Sequence, residues 1–440
     1  MYEKGIVVVG GGHGGSQAAA SLRDDGYDGP LTLVTAERDV PYQRPPLSKA
    51  FLKDPAHDLL PLRPESFYTK HDIGLRLGVS VTAIDRTASE VVLDDGGRIA
   101  CDRVVLATGA TPRLPPIAGA DLAGVFTLRH ADDARALRDA LNAANDVVVI
   151  GGGFIGLEIA GTARLLGKTV TVLEAADRLM GRVVAPEISA HFLALHRGWG
   201  SDIRLGTAVG AIAGEGGKVV AVETARGDRI PADIAVVGIG VTPNIELARA
   251  AGAAIDDSRV GGILVNDVME TSVPEILAVG DCVCFDHWEL HRRVRLESVQ
   301  NAVDQAKTLA AALLGKREPY RAVPWFWSDQ GDVKLQMVGL SSDATESHVR
   351  GKPEEGSFSV FHYAEDRLVA IDSVNRAADH VIGRRMIGAG ISPPAASVAD
   401  PATDLERGDK VSLALINPLY FDASGNRVGA SGPASSGAGA

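Results

Sequence analysis

Two stretches of the chain carry the same order of apolar and polar positions. In the first, the β-branched run "GIVVVG" breaks into glycine, and "GGHGGSQAAASLRDDG" follows as a turn and an Ala-rich helix. The next apolar run, "LTLVTAE", closes the unit at Glu37. The pattern returns in "DVVVIGGGFIGLEIAGTARLLGKTVTVLE", which ends at Glu174. Strand, glycine turn, helix and strand in that order predict a βαβ unit, and units of this kind build parallel sheets.

The segments around the repeats sharpen the division. "RVVLATGATPRLPPIAG" reads as a strand running into a Gly/Pro-rich crossover, which puts a boundary near Arg113. "IAVVGIGVTPNIELARAAG" mirrors it after the second unit. "EILAVGDC" reads as a strand reaching Asp281, and an Ala-rich helix is expected from about Val299 to Leu314. From Trp325 onward "VKLQMVGL", "SFSVFHY" and "RLVAIDSV" alternate as antiparallel strands do, and "AADHVIGRRMIGAG" is helical in pattern. The final stretch "ASGNRVGASGPASSGAGA" is small and polar and is expected to be a flexible tail. The expected division is therefore 1–112 with 245–324 as one discontinuous domain, 113–244 as a second, 325–410 as a third, and 411–440 as tail.

Composition narrows the function. At 440 residues the chain is long for a single core. Lys+Arg 44 against Asp+Glu 56 gives a net charge of −12, which argues against general binding to nucleic acid or anionic membranes. Cys101, Cys282 and Cys284 show no metal-ligand spacing, so no metal is expected. Cys282 and Cys284 would share one face of an extended segment, too close in sequence for a good disulfide. The apolar run Ile6–Val9 enters a glycine loop at once, unlike a signal peptide, and no run approaches the roughly 20 residues of a membrane span. The expectation is a cytoplasmic protein with reduced thiols.

The chemistry lies in the two glycine loops. Gly10, Gly12 and Gly15 satisfy G-x-G-x-x-G, and so do Gly151, Gly153 and Gly156. The first glycine permits the tight turn, the second lets a pyrophosphate touch the backbone, and the third lets helix and strand pack closely. Uncapped N–H groups at each helix start then face the phosphates. Glu37 and Glu174 stand where a carboxylate can accept hydrogen bonds from a ribose 2′-OH. Two such sites suggest two dinucleotides exchanging electrons. The discontinuous domain suits a permanently bound FAD, with Asp281 on a ribityl or ribose hydroxyl, and the compact unit suits an exchangeable nicotinamide. Glu174 would repel a 2′-phosphate, which favours NAD(H) over NADP(H); Ala175 and Ala176 offer no compensating cation, whereas Arg178 is close enough to be one.

The segments "GGGHGG", "PYQRPPLSKAFL", "LATGATPR", "GGGFIGLE", "GIGVTPN", "AVGDC", "RLESVQNAVDQA" and "PWFWSDQ" together resemble the FAD-dependent NADH:ferredoxin reductases of bacterial oxygenase systems, from about Gly5 to about Leu405. The resemblance implies an α/β, glutathione-reductase-like fold with two Rossmann-like dinucleotide-binding domains and a C-terminal α+β domain with an antiparallel sheet. It implies FAD at Gly10, Gly12, His13, Gly15, Glu37, Arg44, Pro46, Lys49, Thr108, Gly109, Arg113, Asp281, Val299 and Trp327. It implies NAD(H) at Gly151, Gly153, Phe154, Ile155, Gly156, Glu158, Glu174, Gly240 and Val241. Disulfide reductases of this architecture keep a cysteine pair after the first acidic residue; here "PYQRPPLSKAFLKD" has no cysteine. Electrons must then leave the flavin directly for an outside acceptor.

Three residues are expected to act at the junction of the cofactors: Lys49, Glu158 and Trp327. At roughly 100° per residue, Glu158 lies about 200° around its helix from Gly156, away from the pyrophosphate. In the resembling family this glutamate pairs with the lysine of "RPPLSK" and contacts the nicotinamide, and the tryptophan lies on the flavin side. A surface carboxylate complementing the helix dipole is the plainer alternative for Glu158. The expected partner is a [2Fe–2S] ferredoxin feeding a P450 or aromatic-ring dioxygenase. It could be steered by Arg292, Arg293, Arg295, Arg384 and Arg385 to a reductase that is a monomer or dimer. The rivals are an NADH oxidoreductase for rubredoxin, quinone or oxygen, and a redox sensor of the apoptosis-inducing-factor type.

Overall fold

The structure, a computed structural model, describes residues 3–403 and 405 of the chain. The expected tail at 411–440 lies outside the described residues. The described residues form two compact units that part between Met337 and Val338.

The first unit holds both repeats. Strands Ile276–Ala278, Arg103–Leu106, Ile6–Val9, Leu31–Thr35 and Gly74–Leu77 lie side by side in that order, all parallel. Ile6–Val9 is central and buried along its whole length, as an unbroken β-branched run requires. Each of these side chains contributes roughly 1.5–3 kcal/mol of burial. Helix His13–Asp24 packs against helix Val299–Leu313, where Ala18, Ala19, Ala306 and Ala310 are buried and let the helices approach closely. A second parallel sheet runs Asp202–Arg204, Thr169–Leu173, Asp146–Ile150, Ile234–Val237, Val125–Phe126. In each sheet the glycine loop leaves the carboxyl end of a central strand, where open parallel sheets bind ligands.

The first sheet thus takes its strands from 6–106 and again from 276–278, whereas the second is drawn from 125–237. The two crossovers pair with each other. Ala110–Pro112 and Val241–Pro243 form an antiparallel ribbon, and Thr108 and Asn244 bond reciprocally beside it, Thr108 Oγ1 to Asn244 O at 2.8 Å and Asn244 Nδ2 to Thr108 O at 2.9 Å.

Two readings need correction. The strand in "EILAVGDC" ends at Ala278, and Asp281 sits beyond it in a 3-10 turn, Gly280–Cys282. The left-handed φ of +83° at Gly280 is what breaks the strand. Cys282 therefore does not share an extended face with Cys284, which lies in strand Val283–Asp286. All three cysteines are buried and free.

In the second unit, strands Glu346–Lys352, Ser357–Ala364 and Arg367–Val374 form an antiparallel meander. Helix Ala377–Ala389 covers the last of them, with Gly383 packed where a Cβ would stand 2.5 Å from Ile371. No described helix is long and apolar enough to cross a membrane.

Candidate active site

A cleft of about 520 Å³ opens along the carboxyl ends of the first sheet. Its floor is the first glycine loop. Gly10 has φ +117°, and a Cβ on Gly15 would stand 1.9 Å from Gly10 O, so the loop and helix are in contact. Gly12 caps the helix with no side-chain bond and no acidic residue in the first turn, leaving N–H groups free to meet an anion. His13 lines the cleft; burial, helped by the charge of Arg44, pushes its imidazole down to about 4, so it is neutral at pH 7.

Glu37 stands at the far end of the cleft. It accepts a hydrogen bond from Tyr42 Oη and an ion pair from Arg44 at 2.6 Å, with His130 Nδ1 at 3.3 Å. Burial alone would raise its carboxyl, but the bonds from His130 and Tyr42 and the charge of Arg44 outweigh it and hold the group at about 2. Opposite, Asp281 pairs with Arg129 at 2.8 Å. Glu297, Ser298 and Val299, at the start of helix Val299–Leu313, line the same wall. This cradle fits the adenosine diphosphate of a dinucleotide: bare backbone to meet phosphates, and the carboxylates of Glu37 and Asp281 to accept bonds from hydroxyls.

The second loop repeats the construction. Gly151 has φ +107°, and a Cβ on Gly156 would stand 2.4 Å from Gly151 O. Gly153 caps helix Phe154–Leu165, again with no side-chain bond. Glu174 accepts Gly152 N–H at 2.6 Å and Ala176 N–H at 2.7 Å, which fixes its carboxylate beside the loop. Arg178 is turned inward, donating to Val184 O at 2.7 Å, Gly181 O at 2.5 Å and Ser189 Oγ at 3.1 Å. Its guanidinium is therefore engaged by the chain itself.

Glu158 and Lys49 lie where the two constructions meet, and both line the cleft. Lys49 Nζ is 2.7 Å from Glu158 Oε2, and Ser48 Oγ donates to the same oxygen at 2.5 Å. Ser328 Oγ donates to Oε1 at 2.7 Å. The Glu158 side chain is 3% exposed and that of Lys49 22%, so the carboxylate is buried and the ammonium faces the cleft. Glu158 is the fifth residue of its helix rather than part of the first turn. It is buried, so the surface dipole role does not apply. Thr162, one turn on, bonds Ser48 O at 2.9 Å and fastens the "RPPLSK" loop to the same helix.

The strand Trp325–Gln330 completes the junction. Phe326 packs on Phe154 at 4.7 Å between ring centroids, and Trp325 on Trp327 at 5.5 Å. Phe326 and Trp327 both line the cleft.

Among the expected site residues, Gly10, Gly12, His13, Glu37, Arg44, Lys49, Thr108, Gly109, Asp281, Val299, Ile155, Glu158, Val241 and Trp327 line one cleft. Others stand off it. Pro45 takes the wall position rather than Pro46, and Gly15 lies behind the loop. Arg113 follows the crossover ribbon, bonded to Thr242 Oγ1 at 3.3 Å, and is not among the residues lining the cleft. Gly240 has φ +103° in the turn before that ribbon. Of the arginines, Arg293 pairs with Asp256 at 3.1 Å, and Arg295, only 10% exposed, pairs with Glu297 and donates to Val260 O at 3.0 Å. Arg295 is spent within the fold, while Arg293, though paired, is exposed, as are Arg292, Arg384 and Arg385. Sequence reasoning missed Ser48, Ser328, Tyr42, Arg129 and His130. Ser48, Ser328 and Tyr42 lie inside the quoted motifs, but a hydroxyl in a loop carries no pattern of its own.

The profile of the pyridine nucleotide-disulphide oxidoreductases matches residues 4–306, and a reductase C-terminal profile matches 325–408. The chain belongs to the pyridine nucleotide-disulphide oxidoreductase family, among its ferredoxin reductases. It is 45% identical over 402 residues to rhodocoxin reductase of Rhodococcus erythropolis, covering 91% of this chain and 93% of that one. The ferredoxin reductase for the CYP199A2 system of Rhodopseudomonas palustris superposes with a TM-score of 0.89 at 44% identity, covering 92% of this chain and 100% of that one. Putidaredoxin reductase in its covalent complex with putidaredoxin gives 0.89 at 41% identity, covering 93% and 99%. The glutathione-reductase-like α/β fold expected from sequence is the fold of these ferredoxin reductases.

Burial of histidines gives the protein an acid-labile window. Burial, with lesser contributions from Arg292 and Arg384 respectively, pushes His287 and His380 down to about 4. Both are 3% exposed. An unfolded histidine takes its proton near 6.5, so each such group favours the unfolded chain as pH falls from about 6.5 toward 4, by ~1.4 kcal/mol per pH unit. Scanning calorimetry is expected to show Tm falling steadily across that window; a flat Tm from pH 7 to 4.5 would contradict the burial of these rings.

Proposed function

We propose that the protein carries electrons from NADH through bound FAD to a [2Fe–2S] ferredoxin. The observation that carries this reading is the Lys49–Glu158 pair, which joins the loop of one dinucleotide cradle to the helix of the other. The absence of any cysteine from "PYQRPPLSKAFLKD" supports it, since no dithiol stands between flavin and acceptor. FAD is held by the cradle of Gly10, Gly12, Glu37, Arg44, Thr108, Asp281 and Val299, and NAD(H) by that of Gly151, Gly153, Gly156 and Glu174. On this reading, residues 1–112 and 245–324 form the FAD domain, 113–244 the NAD domain and 325–410 the C-terminal domain.

Bound FAD supplies the acceptance of a hydride and its release as single electrons. The chain's residues prepare the site for that. The ammonium of Lys49, anchored by Glu158 and by Pro45 O at 3.0 Å, places a fixed positive charge in the cleft. A cation preorganised there favours negative charge developing nearby. The N-terminal end of helix Val299–Leu313 adds a second positive pole on the same wall. Phe326 on Phe154 and Ile155 at the mouth give the nicotinamide an apolar seat that excludes water. Trp327 borders the flavin side.

Glu174 sets the choice of nicotinamide, because its carboxylate is fixed and Arg178 is spent. The ratio of kcat/KM for NADH over NADPH is expected to exceed about tenfold, the equivalent of ~1.4 kcal/mol. An NADPH preference would contradict the assignment of Glu174. For the acceptor, steady-state turnover with NADH and a panel of ferredoxins tests the reading. Saturable reduction that weakens with added salt is expected, since an acidic ferredoxin would be steered by basic groups such as Arg384 and Arg385. Turnover only with rubredoxin, quinone or oxygen would move the function to those acceptors.

A further inference from the structure

Strand Trp325–Gln330 alternates, and its two faces do different things. Phe326, Ser328 and Gln330 point one way, and each meets a residue of 154–196. Phe326 packs on Phe154, Ser328 bonds Glu158 at 2.7 Å, and Gln330 Oε1 lies 2.8 Å from His196 Nε2. Gln330 Nε2 in turn reaches Ser328 Oγ at 3.4 Å. Glu158 is thus the end of a buried series, and Ser328, Gln330 and His196 are each 0% exposed.

Satisfying each acceptor in turn gives that series one polarity. Glu158 accepts, so the single hydroxyl proton of Ser328 points at it. Ser328 Oγ then accepts from the amide of Gln330, which leaves the Gln330 carbonyl facing His196. A carbonyl needs a donor, so His196 carries its proton on Nε2. Its Nδ1 is buried without a hydrogen-bond partner, as an unprotonated nitrogen in an apolar pocket would be. Every proton in the chain runs toward the carboxylate. The far end is anchored too, because His196 packs on Trp199 at 4.9 Å and Trp199 covers Gly331, the residue after Gln330.

We propose that Gln330 and His196 are positioning residues for the Lys49–Glu158 pair, acting through Ser328 by fixing the direction in which its hydroxyl donates. With the imidazole proton on Nδ1 instead, Gln330 would turn over, Ser328 would donate to it, and Glu158 Oε1 would face a lone pair. The carboxylate would then shift, and Lys49 with it. This inference rests on the proposed function, because the pair must serve the nicotinamide for its position to matter.

The test uses the full-length flavoprotein with Gln330→Met and His196→Phe, which remove the donors while keeping an unbranched or aromatic side chain, and His196→Gln, which restores one. Stopped-flow reduction of the bound flavin by NADH, without any ferredoxin, gives the limiting rate and the NADH dependence separately. The expected result is a limiting rate lower by about tenfold in Gln330→Met and His196→Phe, a part of what an ångström of misplacement costs. The affinity for NAD+, read by calorimetry, should stay within about twofold, and His196→Gln should recover much of the rate. Histidine-selective 15N NMR of the wild type is expected to show His196 protonated on Nε2, whether or not flavin is bound. Unchanged limiting rates in the folded variants, or an Nδ1-protonated His196, would overturn the proposal. Should His196→Phe fail to fold, Gln330→Met and the NMR tautomer still decide it. A wild type that NADH does not reduce would instead sink the proposed function itself, so the two failures are distinguishable.

Discussion

Glu158→Gln is expected to slow flavin reduction by NADH about a hundredfold, the scale seen when one preorganised polar group is lost from a reacting site. The side chain keeps its shape but cannot keep its contacts. Glu158 accepts three donors, from Ser48, Lys49 and Ser328. A glutamine offers one oxygen, and its amide group must point N–H bonds at one set of donors. Lys49 loses its counter-charge and is free to turn toward water, since its side chain is already 22% exposed. The mismatch costs about 1–2 kcal/mol of stability, which leaves the variant folded. Stopped-flow reduction separates the two effects. A folded Glu158→Gln protein reduced at the wild-type rate would show that the pair is structural only.

The first glycine loop makes a sharper prediction, because two of its glycines are needed for different reasons. A Cβ on Gly15 would stand 1.9 Å from Gly10 O, backbone that cannot yield while Gly10 itself lies against Ala107 O. Gly15→Ala therefore pushes helix His13–Asp24 off the sheet. It is expected to purify with under about a tenth of its FAD and to lose several kcal/mol of stability to overpacking. Gly12 is different: a Cβ there meets only Arg44, at 3.7 Å, and otherwise stands in the cleft. Gly12→Ala should fold with nearly the wild-type Tm of the apoprotein and still fail to retain flavin. Flavin absorbance and calorimetry on both variants check this contrast. Full flavin in Gly12→Ala would mean that the phosphates lie elsewhere.

Much of this arrangement was legible in the sequence because periodicity and glycine spacing are local signals. The runs at Ile6–Val9 and Asp146–Ile150, the loops that follow and the helix from Val299 appear where their patterns put them. What was hidden is of two kinds. The turn at Gly280–Cys282 depends on one left-handed glycine, which an apolar run masks. The hydroxyls around Glu158 depend on long-range closure: Ser48 and Ser328 are 110 and 170 residues from their common partner. The arginines show a limit of spacing. The basic run leaves Arg292 and Arg293 exposed, but Arg293 and Arg295 also pair with Asp256 and Glu297. Spacing shows which charges are close in the chain, and only folding shows which carboxylates come to meet them.

The central claim is that a two-electron donor is converted into one-electron transfers to an iron–sulfur protein. It is tested most directly by anaerobic titration of a [2Fe–2S] ferredoxin with NADH in the presence of catalytic amounts of the protein. The account predicts two ferredoxins reduced for each NADH consumed, as charge balance requires of a flavin between the two. NADH consumed with no ferredoxin reduced, or a flavin that NADH leaves oxidised, would contradict it.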